Sequence, residues 1–331
     1  MRLGSCAITR QDFKCQSSKA RRNSKRILEQ FTGLSIFHNP VMVREVIQYL
    51  APKDGIILDA TLGGGGHSEA ILSVLENGFL VGIDLDPAAI SYSQSRLVGY
   101  KNFRLFNCNF MEMDKVLEKV LILPECQNLR LMGVLFDLGV SLYQIRTPER
   151  GFSYQLNGPL DMSFNPFSQI KAIDVLRRSS LPKLEEILRE FGEERYYRRI
   201  AKAIWLKRQR LSNTKELVNL IESCLLAKPR FIKQKAVQRT FQALRIATNN
   251  ELDNLFKGLL TALELLSLGG RIVVLAYHSL EDRIVKNTFR LFARQGKLEI
   301  LTKKPLRPTE KERHKNPYAT SARLRAAIKI G

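Results

Sequence analysis

The chain has 331 residues, of which 44% are hydrophobic, and its 53 Lys and Arg against 32 Asp and Glu give a formal net charge of +21. That length suits one large domain or two and that composition supports a sizeable core, while no apolar run approaches the ~20 residues that a membrane-spanning helix needs. The positive field favours polyanionic partners, and with no long basic amphipathic segment rich in aromatics, nucleic acid is preferred to an anionic membrane surface.

Residues 1–36 are basic and nearly free of acids. They read as a disordered extension: an organellar transit peptide, a nucleic-acid-binding arm or an overlong start. Order is expected from Phe37-His38-Asn39-Pro40, with Pro40 near the first turn of a helix ending about Leu50. Ile56–Leu58 then reads as a strand, and Gly63-Gly64-Gly65-Gly66 as a sharp turn into a helix over Ser68–Glu76. A strand, a glycine-rich turn and a helix in this order make a nucleotide-binding unit, because bare backbone and helix-terminal amides face the ligand. The next strand, Phe79–Ile83, ends at Asp84, where such folds grip ribose hydroxyls.

Helices are predicted over Pro87–Leu97 and Met113–Val120, and strands over Phe103–Phe106 and Val134–Phe136. Strands alternating with helices imply a parallel sheet with right-handed crossovers. The fourth strand delivers a second acid, Asp137, which argues against a dinucleotide and suits a site where cofactor meets substrate. From Thr147 to Leu244 no strand is expected. Leu184-Ile187-Leu188-Phe191, Ile200-Ala203-Ile204 and Leu217-Leu220-Ile221-Leu225 keep helical spacing. Arg195, Arg198, Arg199, Lys202, Lys207, Arg208 and Arg210 give this block one strongly basic surface, read either as a solvated face or as a contact for RNA. A helix over Glu251–Leu266 closed by Gly269-Gly270, a strand over Arg271–Tyr277, a helix over Ile284–Arg294 and strands over Lys297–Thr302 and Leu324–Ile330 complete the pattern. The division expected is 1–36 extension, 37–146 first part of an α/β core, 147–244 helical insertion and 245–331 second part of the core.

Cys6, Cys15, Cys108, Cys126 and Cys224 are odd in number and lack a Cys-x-x-Cys pair, and the four histidines are dispersed. Neither a disulfide framework nor a metal site is expected. A reduced compartment follows: the cytoplasm, or a mitochondrion or plastid if residues 1–36 are a transit peptide.

Ten segments carry a more specific message. They are HNPVM at 38–42, DATLGGGGHS at 59–68, GIDLDPAAI at 82–90, DLGVS at 137–141, RGFSY at 150–154 and GPLDM at 158–162. FGEER at 191–195, TFQALRIATNNEL at 240–252, GGRIVVLAYHSLEDRIVK at 269–286 and SARLRAA at 321–327 follow. From about Phe37 onward the chain resembles the MraW (RsmH) family of 16S ribosomal RNA cytosine-N4 methyltransferases. The resemblance implies a class I, Rossmann-like methyltransferase core with an inserted helical domain. It also implies S-adenosyl-L-methionine as cofactor and a cytidine in the decoding centre of 16S rRNA or the small ribosomal subunit as target. Carried over position by position, the cofactor contacts fall on Gly65, Gly66, His67, Asp84, Phe110, Asp137 and Gln144. Asp137 is the candidate acceptor for the target amine, or else a residue that orients the cofactor. His278 is a second catalytic candidate or a structural histidine, and His67, at a helix start, is expected neutral. Leu142, Arg146 and Ser163 stand where the family usually has Ser, Asp and Arg, on segments expected to shape the RNA side. A homodimer is left open. A non-catalytic RNA-binding assembly factor and a nicotinamide dehydrogenase are the competing readings.

Overall fold

The computed structural model describes residues 40–331. The expected disordered extension, 1–36, lies outside them. Helix α1 (Val43–Leu50) leads into β1 (Asp54–Asp59), α2 (Gly66–Leu72), β2 (Asn77–Asp84), α3 (Pro87–Arg96), β3 (Phe103–Asn107), α4 (Met113–Leu121) and β4 (Leu131–Asp137). A run of helices follows: α5 (Leu142–Arg146), α6 (Ala172–Arg178), α7 (Leu181–Glu190), α8 (Tyr197–Lys207), α9 (Thr214–Cys224), α10 (Arg230–Asn249) and α11 (Glu251–Leu265). The chain then returns through β5 (Arg271–Ala276), α12 (Ser279–Arg294), β6 (Leu298–Ile300), α13 (Glu310–Lys315) and β7 (Arg323–Lys329).

The strands form one sheet in the order β3-β2-β1-β4-β5-β7-β6. β1 to β5 run parallel, whereas β7 is antiparallel to both β5 and β6. This is the Rossmann-like arrangement expected, with one reversed strand inserted near the edge. The central strands are nearly continuous apolar runs because helices cover both faces of a parallel sheet. Their period of two divides the core: Ile56, Leu58, Val134, Phe136 and Val274 pack with α4, α11 and α12 on one face. Ile57, Leu80, Leu135 and Val273 pack with α1 and α2 on the other.

The helices between β4 and β5 hold a third core, in which Leu184, Ile187, Leu188, Ile200, Ile204, Leu217, Leu220 and Ile221 meet Phe241 and Leu244. All of these but Phe241 and Leu244 are positions picked out by helical spacing. Helix α10 runs unbroken through residues 244 and 245 and stops at Asn250, whose φ of 50° takes the left-handed turn.

Several boundaries differ from expectation for local reasons. α12 begins at Ser279, five residues before Ile284, because His278 and Glu281 form a reciprocal cap at its start. α11 stops at Leu265, where Leu266 turns extended, so Gly269 forms a separate turn and donates its N–H to Lys329 O. α2 ends at Leu72, because Glu76 N–H already bonds to Lys53 O ahead of β2. No helix among the described residues is long and apolar enough to cross a membrane.

Candidate active site

In the strand order, β1 and β4 are neighbours whose next crossovers run to opposite sides, which opens a crevice beyond their carboxyl ends. A cavity of about 280 Å³ occupies that place. Its walls come from Ala60–Gly64 after β1, Asp84 at the end of β2, Cys108–Phe110 after β3, Asp137–Ser141 after β4 and Tyr277 after β5. Phe164, Arg245, Asn249, Glu251 and Asn254, from the segments between β4 and β5, close it.

The glycine turn works as its composition suggests, but not residue for residue. Gly63 has φ of 50°, and a Cβ built on it would meet only Thr61 O at 3.9 Å, so its bare backbone is open. Gly64 and Gly66 also line the cavity. Gly65, an expected cofactor contact, does not: it faces α3, where a Cβ would come within 2.8 Å of Ser93 Oγ. In its positive-φ conformation Gly65 turns the chain into α2 and leaves the wall to its neighbours.

Asp84 Oδ2 accepts Gly63 N–H and its Oδ1 accepts Asp86 N–H, each at 2.8 Å. Burial pushes this carboxyl up to about 7, against the pull of those two bonds. Each oxygen keeps a lone pair for a further donor. Asp86, behind it, is 2% exposed. Its Oδ1 caps α3 through Ala88 N–H, while its Oδ2 accepts Gln144 Nε2 and the Arg150 guanidinium. Gln144 is therefore held by Asp86 as well as by its capping box with Ser141.

Phe110 meets Phe136 edge to face at 5.5 Å between centroids. It also fills the space beside Gly258, where a Cβ would lie 2.6 Å from the ring.

Asp137 sits between two donors. Tyr277 Oη donates to Oδ1 at 2.7 Å, and His67 Nδ1 faces Oδ2 at 3.4 Å. Its own N–H donates to Thr61 Oγ1. Burial first, and then the charge of Asp137, raise the Tyr277 hydroxyl well above its ordinary range, so it stays protonated and donates.

The surroundings of His67 act against the lowered basicity expected at a helix start. Its Nε2 lies 2.8 Å from Val41 O, an acceptor that requires a proton on that nitrogen, while Nδ1 faces a carboxylate. Burial alone would lower its pKa. The bond and charge of Asp137 and the charge of buried Asp59 outweigh burial and leave it raised. The helix dipole acts from the residue's own helix, whereas these two acids arrive on β1 and β4.

His278 lies off the cavity. Its Nδ1 accepts Glu281 N–H at 3.3 Å, so the ring serves as the cap of α12, and Nε2 lies 3.0 Å from Glu281 Oε1. Glu281 accepts Tyr277 N–H and is held below its ordinary range, because its contact with the His278 ring, the Arg245 charge and that backbone bond together overcome burial. Asp282 pairs with Arg325, and Arg283 with Glu193. Arg245 donates twice to Glu251, at 2.7 and 2.8 Å. Glu251, His278 and Glu281 bring candidate ligand atoms within 4.8 Å of one another, a convergence that dispersed sequence positions concealed. Arg245 already supplies positive charge there.

Asp161 pairs with Lys171 at 2.5 Å and accepts Ser163 N–H, so it braces its own loop. Ser163, which stands at a departure from the family-like pattern, is 1% exposed and donates its hydroxyl to Asp161 Oδ1. The basic residues of the helical block lie on α8 and its flanks. All but Arg208 are exposed, and the Arg208 guanidinium covers the Trp205 ring at 4.4 Å. None of the seven lines the cavity. Tyr277, Arg245 and Glu251 are cavity residues to which sequence reasoning gave no role, although all three fall in the family-like segments at 240–252 and 269–286.

Residues 35–330 match the MraW methylase family. Proteins named ribosomal RNA small subunit methyltransferase H are similar across nearly their whole length. That of Halothermothrix orenii is 41% identical, over 88% of this chain and 98% of its own. Those of Persephonella marina and Thermotoga neapolitana are 42% and 45% identical, each over 88% of this chain and over 99% and 95% of their own.

Proposed function

The chain belongs to the MraW methylase family, and on that premise we propose that it methylates small-subunit ribosomal RNA from S-adenosylmethionine, at the N4 amine of a cytidine in the decoding centre. The observation that carries the reading is near full-length similarity to proteins named for small-subunit rRNA methylation, joined to a crevice whose residues fit the cofactor. The fit is physical. Gly63 offers open backbone, Asp84 has unused acceptor capacity for a ribose, and Phe110 supplies an aromatic wall at the end of β3 for an adenine. S-adenosylmethionine supplies a methyl group activated on a sulfonium.

The chain's residues then have separable tasks. A cytosine amine is a poor nucleophile because its lone pair is conjugated into the ring. An acceptor on one amine hydrogen helps the nitrogen pyramidalise, and alignment does much of the rest. Asp137, at the end of β4 beside the strands that carry the cofactor wall, is the proposed acceptor. Tyr277 and His67 hold its carboxylate oriented and spread its charge. That favours a hydrogen-bond acceptor over a strong base. The helical block, 147–244, is the proposed RNA-recognition domain between two parts of one core, 37–146 and 245–331. Its exposed Arg and Lys on α8 would meet phosphates.

The test is nucleoside mass spectrometry of small-subunit rRNA from cells with and without the gene. Loss of N4-methylated cytidine in the deletion, and its return on complementation, is expected. Unchanged levels refute the assignment. Failure of the purified protein to bind S-adenosylhomocysteine would favour a non-catalytic assembly factor.

A further inference from the structure

We infer that Phe164 is the stacking surface for the target base, an inference that rests on the proposed methylation of a nucleobase. A base reacting at an exocyclic nitrogen must leave its neighbours and enter the crevice, and such a base is held by an aromatic or apolar face together with polar contacts at its edge. Among the described residues, four phenyl or phenol rings line the cavity, those of Phe110, Phe164, Tyr277 and Tyr318. Tyr318 is largely exposed at the rim, and two of the others are committed elsewhere. Phe110 is clamped between Phe136 and Gly258 at the end of β3, and the Tyr277 hydroxyl is bonded to Asp137.

Phe164 differs in how it is built. One face of its ring stacks on Phe152, with centroids 5.7 Å apart and planes 15° from parallel. The Arg150 guanidinium covers Phe152 at 5.8 Å. Arg150, Phe152 and Phe164 therefore form one packed cluster, of which the Phe164 ring lines the cavity and is only half-buried. A flat base stacked on Phe164 would extend that cluster into the cavity.

The backbone around the ring is fixed from two sides. Arg150 Nη2 donates to Phe164 O at 2.8 Å and to Ser163 O at 2.9 Å, while Phe164 N–H donates to Asn249 Oδ1 at 2.8 Å. Asn249 Nδ2 returns a bond to Met162 O at 2.7 Å. Arg150 is itself anchored on Asp86, the residue behind the proposed ribose acceptor. The ring is thus positioned before any base arrives, which lowers the ordering cost of binding. Stacking uses a π-face that every base has, so Phe164 supplies affinity and placement, and discrimination of cytosine is left to polar groups.

The experiment uses the full chain with an RNA of the target sequence carrying fluorescent pyrrolocytosine at the methylated position, beside steady-state methylation of the natural RNA. Phe164→Leu should raise KM for RNA by about 5- to 150-fold, the range of alanine-substitution effects for a base–aromatic stack. It should also abolish quenching of the bound fluorophore and leave the dissociation constant of S-adenosylhomocysteine unchanged. Phe164→Tyr should restore both RNA readouts. If S-adenosylhomocysteine affinity falls in parallel, Phe164 belongs to the cofactor and the inference fails. It fails equally if KM and quenching do not move. Wild-type protein that methylates no cytidine, whatever the fluorophore reports, refutes the proposed function instead.

Discussion

Titration of Asp84 offers a direct reading of the cofactor site. Burial holds its carboxyl at about 7, and both oxygens already accept one backbone N–H each. Only the ionised form offers a ribose two acceptor oxygens with charge-assisted strength. Going from about pH 8 to about pH 6, the ionised fraction falls from about nine-tenths to about one-tenth. The dissociation constant of S-adenosylhomocysteine should therefore rise about tenfold across that interval, or about 1.4 kcal/mol. The sign for the ligand-free fold is opposite in sense. A carboxyl raised above its ordinary 3.8 keeps its proton when the unfolded chain has lost it, so this group's contribution to stability declines as pH rises from about 4 to 7. Asp84→Asn should bind weakly at pH 8 and show a flat profile, as followed by titration calorimetry. A flat wild-type profile, or a slope that survives in Asp84→Asn, refutes the reasoning.

Three other substitutions probe separate walls of the site. Gly258→Ala places a Cβ 2.6 Å from the Phe110 ring, and overpacking of this kind costs about 1–3 kcal/mol. A folded variant with undiminished S-adenosylhomocysteine affinity would take Phe110 out of the cofactor wall. Asp137→Asn keeps the shape but loses the charge between Tyr277 and His67. Single-turnover rates should fall by ~10²–10³ with cofactor affinity largely kept, and the reverse pattern would make Asp137 a cofactor ligand. Neutralising Arg195, Arg198, Arg199 and Lys202, all exposed, should flatten the plot of log affinity for RNA against log salt by roughly 0.7–0.9 for each phosphate that is no longer neutralised. An identical slope would mark the cluster as a solvated face.

What sequence made legible was whatever short spacing encodes. The strand–glycine–helix unit, the acid closing β2 and the helical spacing of Leu184, Ile187 and Leu188 all fall within one or two elements, and the sheet and its separate helical core follow them. Contacts that depend on strand order were hidden. Tyr277 and Asp137 are 140 residues apart and meet only because β5 pairs with β4. A similar meeting of distant elements raises the basicity of His67, which its own helix start alone would lower. Arg245, Glu251 and Glu281 converge from three helices, so no single helical pattern announces them. The start of α12 was obscured because a histidine caps it, where Ser, Thr, Asp or Asn is the usual signal.

The late position of β7 has a consequence for how the molecule is made. This strand lies between β5 and β6, sealing the outer edge of one and providing the strand partner of the other. A chain emerging from its amino end therefore completes the middle of the sheet while β5, five of whose six residues end up buried, still offers open backbone. Until Arg323–Lys329 arrive, that edge is a template for pairing with another nascent copy. Truncation ahead of Arg323 should then produce aggregates on expression instead of a weakened enzyme, since what is removed is the stopper of the sheet and no part of the crevice wall.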